Sequence, residues 1–216
     1  MELIVWDDRC LEKVTLPSCL TQLTFKHKFN QPLEKVALPN SLEELTFAGK
    51  FNQPLEKVAL PSSLESLTLI AGDFNQPLEK VSLPMQLREL TLASRFDQPI
   101  ERVALPSSLL LLEFGDAFNQ SMEMVALPEG LKHLRFGNAF NHPMQKVALP
   151  SGLEILYFGE NFNHSLQKVT LPSSLQRLTL GEGATLRFDQ TMAEEEDSEE
   201  VWCDFDVLGY VTFPAA

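Results

Sequence analysis

Phe51-Asn-Gln-Pro-Leu-Glu-Lys-Val-Ala-Leu-Pro-Ser-Ser-Leu-Glu-Ser-Leu-Thr-Leu69 decides the fold, because close variants of this stretch fill most of the chain. Aligning on Leu-Pro gives Pro17, Pro39, Pro61, Pro84, Pro106, Pro128, Pro150 and Pro172, with steps of 22 residues and a single step of 23. A fixed period in this range marks an array in which each unit contacts only its neighbours. Each of the eight units holds two copies of the pattern apolar-x-x-apolar-x-apolar. Leu33/Val36/Leu38 and Leu42/Leu45/Phe47 are one such pair, and the second copies run without a polar substitution from Leu20/Leu23/Phe25 to Leu175/Leu178/Leu180.

The last two apolar positions of each copy stand two apart, which is strand periodicity with the intervening side chain facing out. A helix fails because its interior rejects proline at roughly 3 kcal/mol and proline recurs throughout. Spacing of three then two also makes no continuous helical stripe. The expected fold is therefore an all-β repeat solenoid of about eight 22-residue coils. Two short strands per coil are expected to stack, first on first and second on second, into two parallel sheets. Between coils, Phe29, Phe51, Phe74, Phe96, Phe118, Phe140 and Phe162 lead a Phe-Asn-Gln-Pro-like turn. The phenylalanines read as plugs at the coil end, and the Asn or Asp that follows each as a hydrogen-bonding ladder. The first coil lacks this motif and has Asp7-Asp8-Arg9-Cys10. Phe188-Asp189-Gln190-Thr191-Met192 reads as a ninth, aborted start after an insertion around Gly181-Glu182-Gly183. The organisation expected is an N-terminal cap at 1–10, the solenoid at 11–192, and an acidic linker with an aromatic cap or tail at 193–216.

At this point the residues name a family. Phe-Asn-Gln-Pro-Leu-Glu-Lys-Val-Ala-Leu-Pro-x-Ser-Leu-Glu-x-Leu-Thr-Phe resembles the FNIP repeat of slime-mould and giant-virus proteins, with Gln mostly standing where the family name has Ile. The resemblance covers about Leu11 to Met192 and implies a relative of the leucine-rich repeats, similar to the BspA type. Relatives often carry an F-box ahead of the repeats, which implies substrate selection for a ubiquitin ligase. Few residues precede the first coil here, so an F-box receptor enters only as the reading in which this chain is a fragment of one.

Charge bounds the partners. The formal net charge is −13, and eight acids with no Lys or Arg fall within Ala193–Ala216. The rest of the chain holds 22 acids against 17 bases. No nucleic-acid or membrane partner is expected from this balance. Cys10, Cys19 and Cys203 have neither paired nor metal-type spacing, and the N-terminus lacks the basic and apolar regions of a signal peptide. A cytoplasmic, monomeric protein is the expectation. The sequon-like Asn119-Gln120-Ser121 and Asn163-His164-Ser165 are discounted with it.

The outward positions of the two copies differ. The first is monotonous, with a Glu column (Glu12, Glu34, Glu56, Glu79, Glu101, Glu123) beside a basic one (Lys13, Lys35, Lys57, Lys80, Arg102, Lys146, Lys168), and reads as a solvated, mutually neutralising face. The second is uniform early, with Thr24, Thr46, Thr68 and Thr91 in one column. That column, flanked by Glu44, Ser66 and Glu89, makes a poor ice-binding array. It then diversifies to Leu111 and Glu113, His133 and Arg135, Ile155 and Tyr157, Arg177 and Thr179. Apolar and aromatic side chains beside Arg are the composition of a protein-binding patch. Leu111, Glu113, His133, Arg135, Ile155, Tyr157 and Arg177, in coils five to eight, are the candidate partner-binding residues. His142 and His164 occupy one place in neighbouring coils but lack the further ligands a zinc site needs. No nucleophile–base pair and no phosphate loop is present, so no enzyme activity, cofactor or metal is expected. The function expected is a protein–protein interaction module, the competing reading a purely structural rod. The tail Ala193–Pro214 joins an acidic run to Trp202, Phe205, Tyr210 and Phe213, and reads as an end cap, a docking peptide, or both.

Overall fold

A computed structural model describes residues 1–6, 8, 10–70 and 72–181, together with the backbone of residues 184–187. The proposed ninth start and the 193–216 segment lie outside the described residues. Ten strands form one sheet in sequence order: β1 (Glu2–Val5), β2 (Gln22–Phe25), β3 (Glu44–Phe47), β4 (Ser66–Leu69), β5 (Glu89–Thr91), β6 (Leu111–Glu113), β7 (His133–Arg135), β8 (Ile155–Phe158), β9 (Arg177–Leu180) and β10 (Ala184–Arg187). Strands β1 to β9 are parallel, and equivalent residues of successive coils pair, as Leu45 does with Leu67. There is no helix among the described residues. Accordingly, none of them forms a helix long and apolar enough to cross a membrane.

The solenoid is as expected, but it carries one strand per coil and a single sheet where two of each were expected. The reason lies in where the first copy spends its N–H groups. In Leu33-Glu34-Lys35-Val36 the Val36 N–H donates to the Leu33 carbonyl at 3.0 Å, closing a β-turn, and every coil from Val14 to Val169 repeats this bond. Leu60 N–H then returns to Val58 O, and Leu105 N–H to Val103 O, each at 3.0 Å. Those are tight i to i+2 turns. The next residue is proline, which has no N–H at all. The first copy is thus folded into turns and does not extend to pair with its neighbours. A second β-turn follows, from the proline to the leucine three residues on, as in Leu64 N–H to Pro61 O at 3.1 Å. Only after it does the chain extend and pair with its neighbours.

The core fills the space between strand and turns. Leu23, Leu45, Leu67, Leu90, Leu112, Leu134, Leu156 and Leu178 line the inner face of the sheet, and the turn residues Leu33, Val36 and their equivalents in the later coils close the other side, while Val14 of the first coil is exposed. The motif phenylalanines stack along the axis from Phe29 to Phe162, with ring centroids 6.1–6.3 Å apart. Those at strand ends, such as Phe114, Phe136 and Phe158, lie 5.4 Å apart, and strands of one sheet lie about 4.8 Å apart. The spacing between coils therefore widens from the sheet toward the phenylalanine column. The coils fan open, and the outer face of the sheet is the concave one.

Polar ladders join the coils. Asn30 Oδ1 accepts the backbone N–H of Asn52 at 2.9 Å and the Gln53 side-chain amide at 3.1 Å. Asn52, Asn75 and Asp97 repeat both bonds toward the next coil. Asp97 does so as well as Asn, so the place needs only an acceptor. Asp8 shows the same, since its Oδ1 takes the Asn30 N–H at 2.8 Å and heads the ladder. The first coil thus has the ladder residue without the rest of the motif. Ser41, Ser63, Ser108 and Ser174 form a second ladder, each hydroxyl donating to a carbonyl of the preceding coil at 2.6–2.8 Å. Among the described residues no buried side-chain nitrogen or oxygen lacks a hydrogen-bond partner.

Both ends of the sheet are finished differently. Strand β1 lies in the stretch assigned to the N-terminal cap and continues the parallel array, with Leu3 and Val5 packed on the core. At the other end Gly181, at φ +51°, starts the reversal that brings β10 back antiparallel along β9.

Two outcomes follow. Asn75→Ala leaves the Asp97 N–H without its acceptor and should cost about 1–3 kcal/mol in denaturant melts, whereas Asn75→Asp should cost little. A Cβ on Gly137 would stand 2.1 Å from the Gly115 carbonyl oxygen, so Gly137→Ala should destabilise by about 1–3 kcal/mol, read in the same melts.

Candidate functional site

Alternation along each strand sends one residue to the core and the next to the concave face. Register then converts successive coils into two columns. Leu111, His133, Ile155 and Arg177 form one, and Glu113, Arg135, Tyr157 and Thr179 the other. All seven residues singled out from the sequence are thereby brought together on one face of β6 to β9. They line an open concavity of about 540 Å³, with Thr179 and the Leu112 and Leu134 positions completing its wall.

Their exposure is uneven. Leu111, Ile155 and Tyr157 are half-buried, while Arg135 and Arg177 are exposed. Neighbours roughly 4.8 Å away on either side shield the shorter and flatter side chains, and the long arginine side chains rise beyond them. Thr179 is buried at 9% exposure.

Arg135 is the hub. Its Nε lies 3.3 Å from Glu113 Oε1, and its guanidinium carbon sits 4.3 Å from the centre of the Tyr157 ring. An acid on one coil, a cation on the next and an aromatic ring on the third are thus held in line. The contact over the ring adds about 0.5–1 kcal/mol at such an exposed site. Beside it, Lys132 Nζ reaches Glu154 Oε1 at 2.9 Å. No carboxylate pairs with Arg177 among the described residues. The arrangement offers a flat aromatic, two aliphatic surfaces and a guanidinium with no carboxylate partner among the described residues, which suits recognition.

The early half of the same face is plainer. Thr24, Thr46, Thr68 and Thr91 are half-buried in one column. Gln22 Nε2 donates to Glu44 Oε1 at 2.9 Å in the other.

The remaining candidate features have structural occupations. His142 Nε2 lies 2.9 Å from Asn119 O, and His164 Nε2 3.1 Å from Asn141 O. A carbonyl only accepts, so each Nε2 carries the hydrogen and donates to the backbone of the preceding coil, where the glutamine amides of other coils donate to the Asn or Asp side chain. That nitrogen is taken from any metal. No group of three or more metal-ligating side chains occurs among the described residues. On the turn face the acid and base columns do meet between coils: Lys35 with Glu12 at 3.3 Å, Arg102 with Glu79 at 3.6 Å, and Lys146 with Glu123 at 2.6 Å. Exposed pairs of this kind contribute about 0–1 kcal/mol each. Each base reaches back to the acid of the preceding coil.

A family model described as FNIP Repeat matches seven overlapping stretches, residues 8–50, 29–72, 51–95, 74–117, 96–139, 118–161 and 140–183. Each window spans two coils. A solved structure described as "The crystal structure of CroV588 a novel circular LRR protein structure" is similar to this chain at 41% identity and a TM-score of 0.73. The similarity covers 81% of this chain and 26% of that one, so the chain matches about a quarter of the solved protein's length. No curated protein matches the chain.

Proposed function

Since the chain belongs to the FNIP repeat family, as the matches across residues 8–183 establish, we propose that it is a non-enzymatic protein-interaction module. Leucine-rich-repeat-like solenoids of this type typically serve protein interaction. The finer reading is that a protein partner docks on the concave face of coils five to eight, against Leu111, Glu113, His133, Arg135, Ile155, Tyr157 and Arg177. The observation that carries it is the half-buried Tyr157 under Arg135, lining the concavity on coils five to eight with Leu111 and Ile155. Aromatic and arginine anchors in such settings contribute most of the energy in known interfaces. The same reading takes the protein to be cytoplasmic and free of cofactors, with the outward turn face left as a solvated surface. The plain Thr column of coils one to four favours a second role alongside, that of a spacer holding the binding half at a distance.

The test starts from partners captured on the full chain, identified and then purified. Tyr157→Ala with Arg135→Glu should weaken direct binding at least about 30-fold, the loss of one interface anchor. Circular dichroism and melting should hold, since Arg135 forms only an exposed ion pair and a surface ring contact. Undiminished binding of every purified partner by this variant would place recognition elsewhere.

A further inference from the structure

We infer that the concavity on coils five to eight takes an extended, acidic segment of a partner protein with the pattern acid-x-apolar-x-acid, an inference that rests on reading this face as a protein-binding surface. Charge is the first reason. The outward positions of β2 to β5 hold two acids, Glu44 and Glu89, and no Lys or Arg. Those of β6 to β9 hold Arg135 and Arg177, with His133, against the single acid Glu113. The face therefore changes sign midway, in a chain whose formal net charge is −13. Such a field draws an acidic segment to the late coils and turns it away from the early ones.

The acids beside the late coils are already engaged. Glu113 Oε1 lies 3.3 Å from Arg135 Nε, and Glu154 Oε1 2.9 Å from Lys132 Nζ. Arg177 is exposed and has no carboxylate partner among the described residues. The Arg135 side chain remains 54% exposed despite its ion pair and its place over Tyr157. A guanidinium carries five N–H donors in a fork that fits a carboxylate, so both arginines have donors left for an incoming acid.

Order on the face is the second reason. Strand β8 lies between β7 and β9, so its half-buried Ile155 and Tyr157 stand between Arg135 and Arg177. A cation, an apolar strip and a second cation are complementary to an acid, an apolar side chain and a second acid.

Spacing is the third. The two arginines are two strands apart, about 9.6 Å, and two residues out of register, about 6.7 Å, which places them about 12 Å from each other. In extended chain, residues four apart share a face and lie about 13 Å apart. On a helix the same pair would be only about 5–6 Å apart. The segment therefore crosses the strands diagonally as extended chain, one acid on each arginine and the apolar side chain over coil seven. The concavity of about 540 Å³ has the size of a site for a few side chains.

The experiment measures fluorescence anisotropy of labelled peptides on the full chain at low salt. The probe is Gly-Ser-Asp-Ser-Leu-Ser-Asp-Ser-Gly. One control keeps its composition in another order, Gly-Ser-Leu-Ser-Asp-Asp-Ser-Ser-Gly, and a second has Lys for both Asp. The probe should bind saturably and at least about 10-fold more tightly than either control. Arg177→Glu should weaken the probe by a similar factor and shift preference to a peptide with Lys in place of one Asp. That gain of binding shows the variant is folded, so the test does not hang on a loss alone. Absence of saturable binding by the probe would overturn the inference, as would equal binding of the reordered or Lys peptide, or indifference to Arg177→Glu. If the probe fails while a purified partner still loses affinity on Tyr157→Ala with Arg135→Glu, the acidic pattern falls and the binding surface stands. If that partner is indifferent as well, both fall.

Discussion

The structure depends on one bond repeated from coil to coil: a side-chain oxygen of Asn or Asp accepting the backbone N–H of the next motif. Each coil consists mostly of turns, and turns leave N–H groups pointing away from their own chain. The Asn30, Asn52, Asn75 and Asp97 oxygens satisfy those groups in the following coil, over a floor of stacked phenylalanine rings. Rings four residues apart stack on each other, as Phe47 does on Phe51 at 4.1 Å, but the ladder N–H groups find their acceptors only in the neighbouring coil. Stability belongs to the interfaces between coils, as expected of a quasi-one-dimensional array.

The same stacking shapes the candidate binding surface. Phenylalanine rings spaced more widely than paired strands wedge the coils apart on the turn side and draw them together at the sheet. Fanning makes the outer sheet face concave, and a concave face lets side chains from four successive strands converge on one bound segment. Arg135, between Glu113 and Tyr157, is positioned by this geometry and by no loop. The architecture holds the proposed binding groups on strands, whose register leaves them little freedom to wander. Diversity is cheap there, because outward strand positions do not touch the core or the ladders.

Much of this was legible from residue spacing. Leu-Pro recurrence gave the coils, and alternation in Leu111-Leu112-Glu113 or Ile155-Leu156-Tyr157 placed the outward columns correctly, because facing follows from a period of two. The second sheet was misread because Leu33-x-x-Val36-x-Leu38 and Leu42-x-x-Leu45-x-Phe47 have the same apolar spacing. What separates them is local geometry: a β-turn, followed in two coils by a tighter turn, and then a proline without an N–H keep the first copy from extending into a strand. Asp8 was passed over as part of a degenerate motif, since nothing local shows that an acceptor alone suffices at that place. Half-burial of Tyr157 and Ile155 was hidden as well, because shielding comes from residues 22 positions away on the next coil.

The most direct measurement of the central claim is amide hydrogen exchange resolved by residue. The ladder amides of Asn52, Asn75, Asp97, Asn119 and Asn141 lie outside every strand, yet each is bonded to the preceding coil at 2.8–3.0 Å. They should exchange as slowly as strand amides such as those of Leu67 and Leu134, and open together with them. Exchange at the rate of the exposed turn amides of Glu34 and Lys35, with the strands still protected, would contradict the claim that these bonds hold the coils together.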